Sequence, residues 1–262
     1  MRILVVNDDG LHAEGLHALS SAALALGQVV RVAPDRNCSG ASQSLTLDRP
    51  VPIRRVNPSA WAVTGTPADC VHLAFAGALS TELHATLGGE PNLVLSGINH
   101  GENLGDDILY SGTVGAARVA ALFGCPAVAV SAPAGMRSEQ MSEGLTQVIQ
   151  LIEQGLLSQG RLWNINLPAT PLQGVRLTSL GRRWPSAPAE SAIAPRGMAG
   201  WWVGAFGAPA QPTPDSDFAA VAQGYLSVTP LSMERHDTAV QTLAETWLQT
   251  GRLTQRVLEQ QP

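Results

Sequence analysis

The stretch MRILVVNDDGLHAEG, residues 1–15, decides the fold. Its apolar run Ile3–Val6 is unbroken and rich in β-branched residues, which is typical of a strand buried on both faces of a parallel sheet. Apolar residues then recur at helical spacing from Leu11 to Leu26, and Val29–Ala33 is a second buried run. A strand, a helix and a strand in this order predict a parallel pair joined by a right-handed crossover.

The pattern of strands and helices continues through most of the chain. Further strands are predicted at 92–95, 127–130 and 162–167, and further helices from Thr66 and over 113–123 and 139–154. Shorter alternating stretches between residues 44 and 63 indicate a β-excursion. The predicted fold is a three-layer α/β/α, Rossmann-like arrangement with a mostly parallel sheet.

The C-terminal part of the chain has a different composition. Residues 183–217 are rich in Pro, Gly and Ala and contain Trp184, Trp201 and Trp202, which excludes a continuous helix and favours a hairpin or extended arm. A strand at 225–229 and an amphipathic helix at 237–250 follow. The sequence therefore predicts a catalytic core over 1–182 and a C-terminal arm or hairpin with a terminal helix over 183–262.

The overall composition excludes some functional classes. The 262 residues are 45% hydrophobic and 14% charged, with a net charge of -5. The chain lacks the Lys/Arg clusters that are typical of nucleic-acid-binding proteins, so no nucleic-acid partner is expected. No apolar run approaches the roughly 18 residues of a membrane span, so no membrane partner is expected. Cys38, Cys70 and Cys125 are odd in number and lack a CxxC pair, which is typical of reduced thiols and predicts a cytoplasmic protein.

Two adjacent carboxylates, Asp8 and Asp9, follow the first predicted strand directly. Ligands of open parallel sheets bind beyond the carboxyl ends of the strands, but this turn has no GxGxxG cradle, and its carboxylates would repel a phosphate. The missing cradle argues against a dinucleotide-dependent oxidoreductase. A divalent cation between the carboxylates and an anion would remove the repulsion, and oxygen ligands favour Mg²⁺ or Mn²⁺. The alternative is that an Asp here caps the following helix.

Other predicted strand ends also carry polar residues. Ser39 and Gly40 follow the second strand, and Asn99 follows the buried run at 92–95. The segment SGT at 111–113 then leads into an Ala-rich helix, whose exposed N–H groups would attract an anion. Solvated turns and simple helix capping are the alternatives. Together these segments indicate a metal-assisted phosphate site at one edge of the sheet.

Four ordered blocks of the sequence resemble the SurE family of survival-protein-E 5′/3′-nucleotidases. The blocks are ILVVNDDG (3–10), APDRNCSGAS (33–42), VTGTPADCVHLA (63–74) and SGINHGENLGDDILYSGTVGAA (96–117). Weaker similarity continues through NINLP (164–168), TSLGRR (178–183) and GYLSVTPL (224–231), so the resemblance spans nearly the whole chain.

The resemblance implies a cytoplasmic phosphatase with one divalent ion, Mg²⁺ or Mn²⁺, in each subunit. Its expected substrates are nucleoside 5′-monophosphates, with 3′-monophosphates and short polyphosphates as further candidates. The implied metal ligands are Asp8, Asp9, Ser39 and Asn99. The resemblance implies that Asn103 and Ser111 contact the phosphate or support the residues that do. Gly40 is a further candidate for the phosphate side, because a glycine lets a ligand approach the backbone closely. The family also exchanges a C-terminal arm between subunits, which implies a homodimer or a tetramer and makes 183–262 the expected oligomerisation element.

The expected chemistry is attack of a metal-activated water on phosphorus, with Asp8 and Asp9 as the catalytic residues. One carboxylate, Asp9 rather than Asp8, is an alternative base or nucleophile, although the DxD spacing of aspartyl-phosphate enzymes is missing. His100, beside Asn99, is the one histidine considered as a proton donor. A non-catalytic nucleotide- or metal-binding module on the same fold is the alternative to an enzyme.

Overall fold

The computed structural model describes residues 1–159, 161–169, 171–184, 188–193, 197–203, 207–210, 213–233 and 237–250. The strands are β1 (Arg2–Val6), β2 (Gln28–Pro34), β3 (Ile53–Asn57), β4 (Ala60–Val63), β5 (Leu93–His100), β6 (Ala127–Ala132), β7 (Leu162–Asn166), β8 (Gly174–Leu177), β9 (Arg182–Arg183), β10 (Glu190–Ile193), β11 (Ala199–Trp202), β12 (Pro209–Ala210) and β13 (Tyr225–Pro230). The helices are α1 (Glu14–Ala23), α2 (Pro67–Ala76), α3 (Ala78–Leu87), α4 (Gly112–Leu122), α5 (Ser138–Glu153), α6 (Leu156–Gln159), α7 (Asp217–Ala222) and α8 (Thr238–Thr250), with a 3₁₀ helix at Gly105–Leu109.

The main sheet has nine strands in the order β3-β4-β2-β1-β5-β6-β7-β13-β8. Strand β1 lies inside the sheet and pairs in parallel with β2 and β5, and the parallel pairing continues through β6 to β7. Antiparallel pairs in this sheet are β3 with β4 and β7 with β13. Helices cover the sheet, with α1 beside α5 and α2 beside α4. The predicted fold class, α/β with a mostly parallel sheet, is confirmed.

The core explains why the first strand is apolar throughout. Ile3 and Val5 are fully buried in a cluster that includes Leu16 and Leu19 of α1, while Leu4 and Val6, which alternate with them, are equally buried. Each large aliphatic side chain buried in this way contributes about 1.5–3 kcal/mol. Strand β1 therefore ends against a rigid core, and the polar residues that follow it start from a fixed point.

Two predicted elements differ from the structure at the N-terminal side. Helix α1 begins at Glu14 and not at Leu11, because Gly10 has φ +104° and its carbonyl accepts the Ala13 N–H in a turn. Residues 44–47, predicted as part of the β-excursion, form no strand. The Thr46 N–H and hydroxyl donate instead to the carboxylate of Asp69, at 3.0 and 2.6 Å.

The predicted boundary after residue 182 differs from the division of the structure, whose first compact unit runs from Met1 to Leu231. Strand β13 explains the difference, because it lies inside the main sheet between β7 and β8. Within the predicted arm, β10 pairs with β11 and β9 with β12, both antiparallel.

The second unit, Ser232–Pro262, contains α8, and its residues 251–262 lie outside the described part of the chain. None of the described helices has both the length and the apolar character that crossing a membrane requires.

Candidate active site

A cavity of about 280 Å³ lies where β1 and β5 end. Its lining brings together six of the residues selected from the sequence: Asp8, Ser39, Gly40, Asn99, Asn103 and Ser111. The seventh, Asp9, is not part of the lining. Its carboxylate accepts a hydrogen bond from the backbone N–H of His100, and His100 does line the cavity. A larger groove of about 760 Å³ between α1 and α5 contains none of the selected residues. The predicted convergence of strand ends therefore occurs at the smaller, more polar cavity.

Asp8 is held at the start of α4, 2% exposed. The Thr113 hydroxyl donates to Asp8 Oδ1 at 2.7 Å, and the Thr113 N–H donates to Oδ2 at 3.2 Å. The positive end of the helix dipole also favours a carboxylate here. Burial raises the pKa of Asp8, the Thr113 hydroxyl opposes this rise, and the negative charge of Asp9 adds to it. Thr113 thus fixes the orientation of Asp8 and compensates part of its desolvation.

Two of the N–H groups at the start of α4 already have partners within the protein. One is the Thr113 N–H that Asp8 accepts, and the next, from Val114, donates to the Ser111 hydroxyl oxygen at 3.0 Å. Capping, left open as an alternative in the sequence, is therefore what these N–H groups do. Because the Ser111 oxygen accepts this bond, its hydroxyl proton is left to donate to a ligand in the cavity.

Asp9 and Asn99 are held by contacts around the end of β5. Asp9 Oδ2 accepts the His100 N–H at 3.1 Å, and Oδ1 accepts a bond from Asn37 Nδ2 at 3.3 Å. The side-chain amide nitrogen of Asn99 donates to the Gly101 carbonyl at 2.7 Å, which leaves Asn99 Oδ1 as the atom that can bind a cation. Asn37 Oδ1 accepts the Ser39 N–H at 2.8 Å and so links the second loop to the same site.

The donors at this edge fit a hard divalent cation. Two carboxylates, a hydroxyl and an amide oxygen are the ligand types that Mg²⁺ and Mn²⁺ prefer, and the carboxylate oxygens keep lone pairs beyond those used in the hydrogen bonds above. Within the described part of the chain, no three His, Cys, Asp or Glu residues are grouped to hold an ion. A metal here therefore needs the neutral oxygens of Ser39 and Asn99 as well as the two aspartates.

Asn103 is anchored by a buried polar network that sequence reasoning missed. Its backbone N–H donates to Asn166 Oδ1 at 2.8 Å, and its carbonyl accepts bonds from Asn164 and Asn166. Its side-chain amide donates to the Ser131 hydroxyl at 2.7 Å. The signal was present in the strand LWNINL, where two asparagines alternate with apolar residues and needed buried partners.

Comparisons with known proteins identify the family to which the chain belongs. The family model of the survival protein SurE matches residues 3–186. The 5′-nucleotidase SurE of Aeromonas hydrophila is 42% identical over 253 residues, covering 93% of this chain and 96% of that protein. The protein of the same name from Laribacter hongkongensis is 44% identical over 257 residues, with coverages of 95% and 99%.

A solved structure supports the same assignment. The crystal structure of the SurE protein from Aquifex aeolicus matches with a TM-score of 0.78 at 35% identity, over 94% of this chain and 99% of that one. The sequence relatives and the structural neighbour each cover more than nine-tenths of the chain. The protein belongs to the SurE family.

Proposed function

We propose that this protein is a metal-dependent 5′-nucleotidase that hydrolyses nucleoside 5′-monophosphates to nucleoside and phosphate. The relatives named 5′-nucleotidase, at 42% and 44% identity over nearly the whole chain, support the reaction class. The observation that carries the proposal is the single cavity lined by Asp8, Ser39, Asn99, Asn103 and Ser111, which combines cation-binding oxygens with phosphate donors.

One divalent ion, Mg²⁺ or Mn²⁺, is assigned to Asp8, Asp9, Ser39 and Asn99. When bound, such an ion neutralises phosphoryl oxygens and lowers the pKa of a coordinated water. Asp8 presents its carboxylate in one fixed orientation, since both of its oxygens accept bonds from Thr113. This fixation favours Asp8 as a metal ligand. Water is the proposed attacking group, and Asp9 is the alternative base or nucleophile.

The phosphate of the substrate is assigned to Asn103, Ser111 and Gly40. Ser111 has a hydroxyl proton to donate, and the network around Asn103 prevents it from moving away. Gly40 has φ +76°, and a side chain there would meet no atom within 4 Å. The backbone at Gly40 is therefore open to close approach by a ligand, in a conformation that favours glycine.

The test is phosphate release from purified protein with a panel of 5′- and 3′-mononucleotides and short polyphosphates. The expected result is release from 5′-mononucleotides with Mn²⁺ or Mg²⁺ and loss of release with excess EDTA, because two uncompensated aspartates repel the phosphate. Restored release after the metal is added back is the control for damage by the chelator. Nucleotide binding by calorimetry without any metal-dependent release would favour a binding module instead.

We also propose that the C-terminal arm joins subunits into a homodimer. Trp201 and Trp202 of β11 are each 72% exposed, and Ile193 of β10 is 77% exposed. The pairing of the two strands places Ile193 and Trp201 on one face and Trp202 on the other, so both faces expose large apolar side chains of the kind that mark interfaces. Sedimentation velocity should give a dimer or a larger assembly for the wild type, and a smaller species for the Trp201→Ser/Trp202→Ser double variant. A wild-type monomer at micromolar concentration would count against the arm as an interface.

A further inference from the structure

Asp107 lies in the middle of the segment that connects the two proposed phosphate contacts, Asn103 and Ser111. Its carboxylate oxygen Oδ2 accepts the Leu104 N–H at 3.1 Å. Its backbone carbonyl accepts the N–H groups of Tyr110, at 3.0 Å, and Ser111, at 3.1 Å. One residue therefore ties both ends of this segment, and the position of Asp107 sets the distance between Asn103 and Ser111.

Arg183 of β9 holds Asp107 from the other side. Its Nε lies 2.6 Å from Oδ1 and its Nη2 lies 2.7 Å from Oδ2, which is a two-pronged arginine–carboxylate pair. The side chains are only 20% and 6% exposed, for Arg183 and Asp107 respectively, so solvent screens this pair little. Arg183 Nη1 also donates to the Gly207 carbonyl at 3.1 Å, and its backbone N–H donates to Asp106 at 2.8 Å.

A second contact joins the same two segments independently. The buried carboxylate of Asp217 accepts the Gly105 N–H at 2.7 Å and the Gly181 N–H at 2.9 Å. The two backbones approach so closely that a Cβ on Gly105 would lie 2.6 Å from the Gly181 carbonyl oxygen. The segment that delivers Arg183 is thus fixed against the phosphate-side loop at two points.

We propose that Arg183 is a positioning residue for substrate phosphate, acting through Asp107 to hold Asn103 and Ser111 at the separation that binds it. The inference rests on the proposed nucleotidase function and deepens it. Arg183 and Asp107 both line the cavity, and three of the five guanidinium N–H groups of Arg183 donate to Asp107 and Gly207. The guanidinium is therefore directed at Asp107, and its effect on phosphate is assigned to this contact. The hydrogen bonds described above for the four residues assigned to the metal involve neither Arg183 nor Asp107, so the metal affinity should change little in an Arg183 variant.

The experiment compares Arg183→Gln with wild type in Mn²⁺-loaded protein. The KM for AMP should rise about tenfold while kcat stays within about threefold, because contacts made equally in the ground state and transition state affect KM. The inhibition constant of inorganic phosphate should rise by the same factor. The dissociation constant of Mn²⁺, measured by calorimetry on metal-free protein, should stay within about twofold because the metal side is intact.

Arg183→Lys separates positioning from simple charge. Lysine keeps the positive charge beside the buried Asp107, which protects the fold, but lacks the two-pronged geometry, so its KM should rise as in the Gln variant. Arg182→Gln, a change at the exposed neighbouring residue of β9, is the control and should leave KM unchanged. A normal KM in either Arg183 variant would overturn this inference and leave the proposed function standing. A loss of Mn²⁺ affinity as large as the rise in KM would do the same. A wild type that releases no phosphate overturns the proposed function and this inference with it.

Discussion

Asp8→Asn should lower kcat/KM for nucleoside monophosphates by about 10³-fold, the scale expected when a preorganised electrostatic group at a reacting centre is removed. A neutral amide cannot offset the charge of a divalent ion. The amide can keep both contacts with Thr113, because its oxygen can accept the Thr113 N–H and its NH₂ group can donate to the Thr113 hydroxyl. The loss should therefore come from the missing charge and from the weaker affinity for the metal.

Metal-dependent stabilisation provides a measurement that is independent of turnover. Mn²⁺ should raise the melting temperature of the wild type by mass action and leave that of Asp8→Asn unchanged. The metal-free variant should melt within a few degrees of wild type, because the amide can keep both contacts with Thr113 and the charge that is removed is one whose burial raises the pKa of Asp8. Asp48→Asn, which removes one charge from a side chain that is 79% exposed, is the matched control. Strong metal-dependent turnover in Asp8→Asn would remove Asp8 from the site.

The strands of the core could be predicted from local sequence patterns, but the way in which the C-terminal strand β13 completes the sheet could not. Unbroken apolar runs such as Ile3–Val6 and Ala127–Val130 can be satisfied only by burial on both faces, so they predicted parallel strands correctly. The strand at β13 was predicted, but its position inside the main sheet was not. It pairs antiparallel with β7, some sixty residues earlier, and this pairing depends on which edge of the sheet the other strands leave uncovered. Hence the boundary expected after residue 182 differs from the compact unit that ends at Leu231.

The site was predictable where its residues follow strands directly. Asp8 and Asn99 belong to neighbouring parallel strands, so their meeting at one cavity follows from topology. Thr113 and Asp217 were missed, because each looks in the sequence like an ordinary residue at a helix start. Thr113 bonds Asp8 across 105 residues and Asp217 bonds Gly105 across 112. Such partners are chosen by packing of whole elements, and local spacing contains no signal for them.

Gly115→Ala should lower kcat/KM by roughly a hundredfold, the cost of a misplacement of about 1 Å in a catalytic site. Gly115 lies in α4 against the loop that carries Ser39 and Gly40. A Cβ there would clash with the Ser42 carbonyl oxygen and would lie 2.7 Å from its carbon, so the backbone must move. The loop cannot yield freely, because the Ser42 N–H and hydroxyl donate to Tyr110 and Leu109 at 3.0 and 2.7 Å. The displacement should therefore reach Ser39 and weaken Mn²⁺ binding as well.

The direction in which Gly115→Ala shifts the melting temperature distinguishes the clash with Ser42 from the higher helix propensity of alanine. Alanine in a helix interior is favoured over glycine by about 1 kcal/mol, so Gly115→Ala would raise the melting temperature if the contact with Ser42 were slack. We expect the melting temperature to fall. Gly200→Ala, where a Cβ meets no atom within 4 Å, should leave both activity and Mn²⁺ affinity unchanged. A stabilised and fully active Gly115→Ala protein would mean that the contact between α4 and Ser42 is slack and does not position the Ser39 loop.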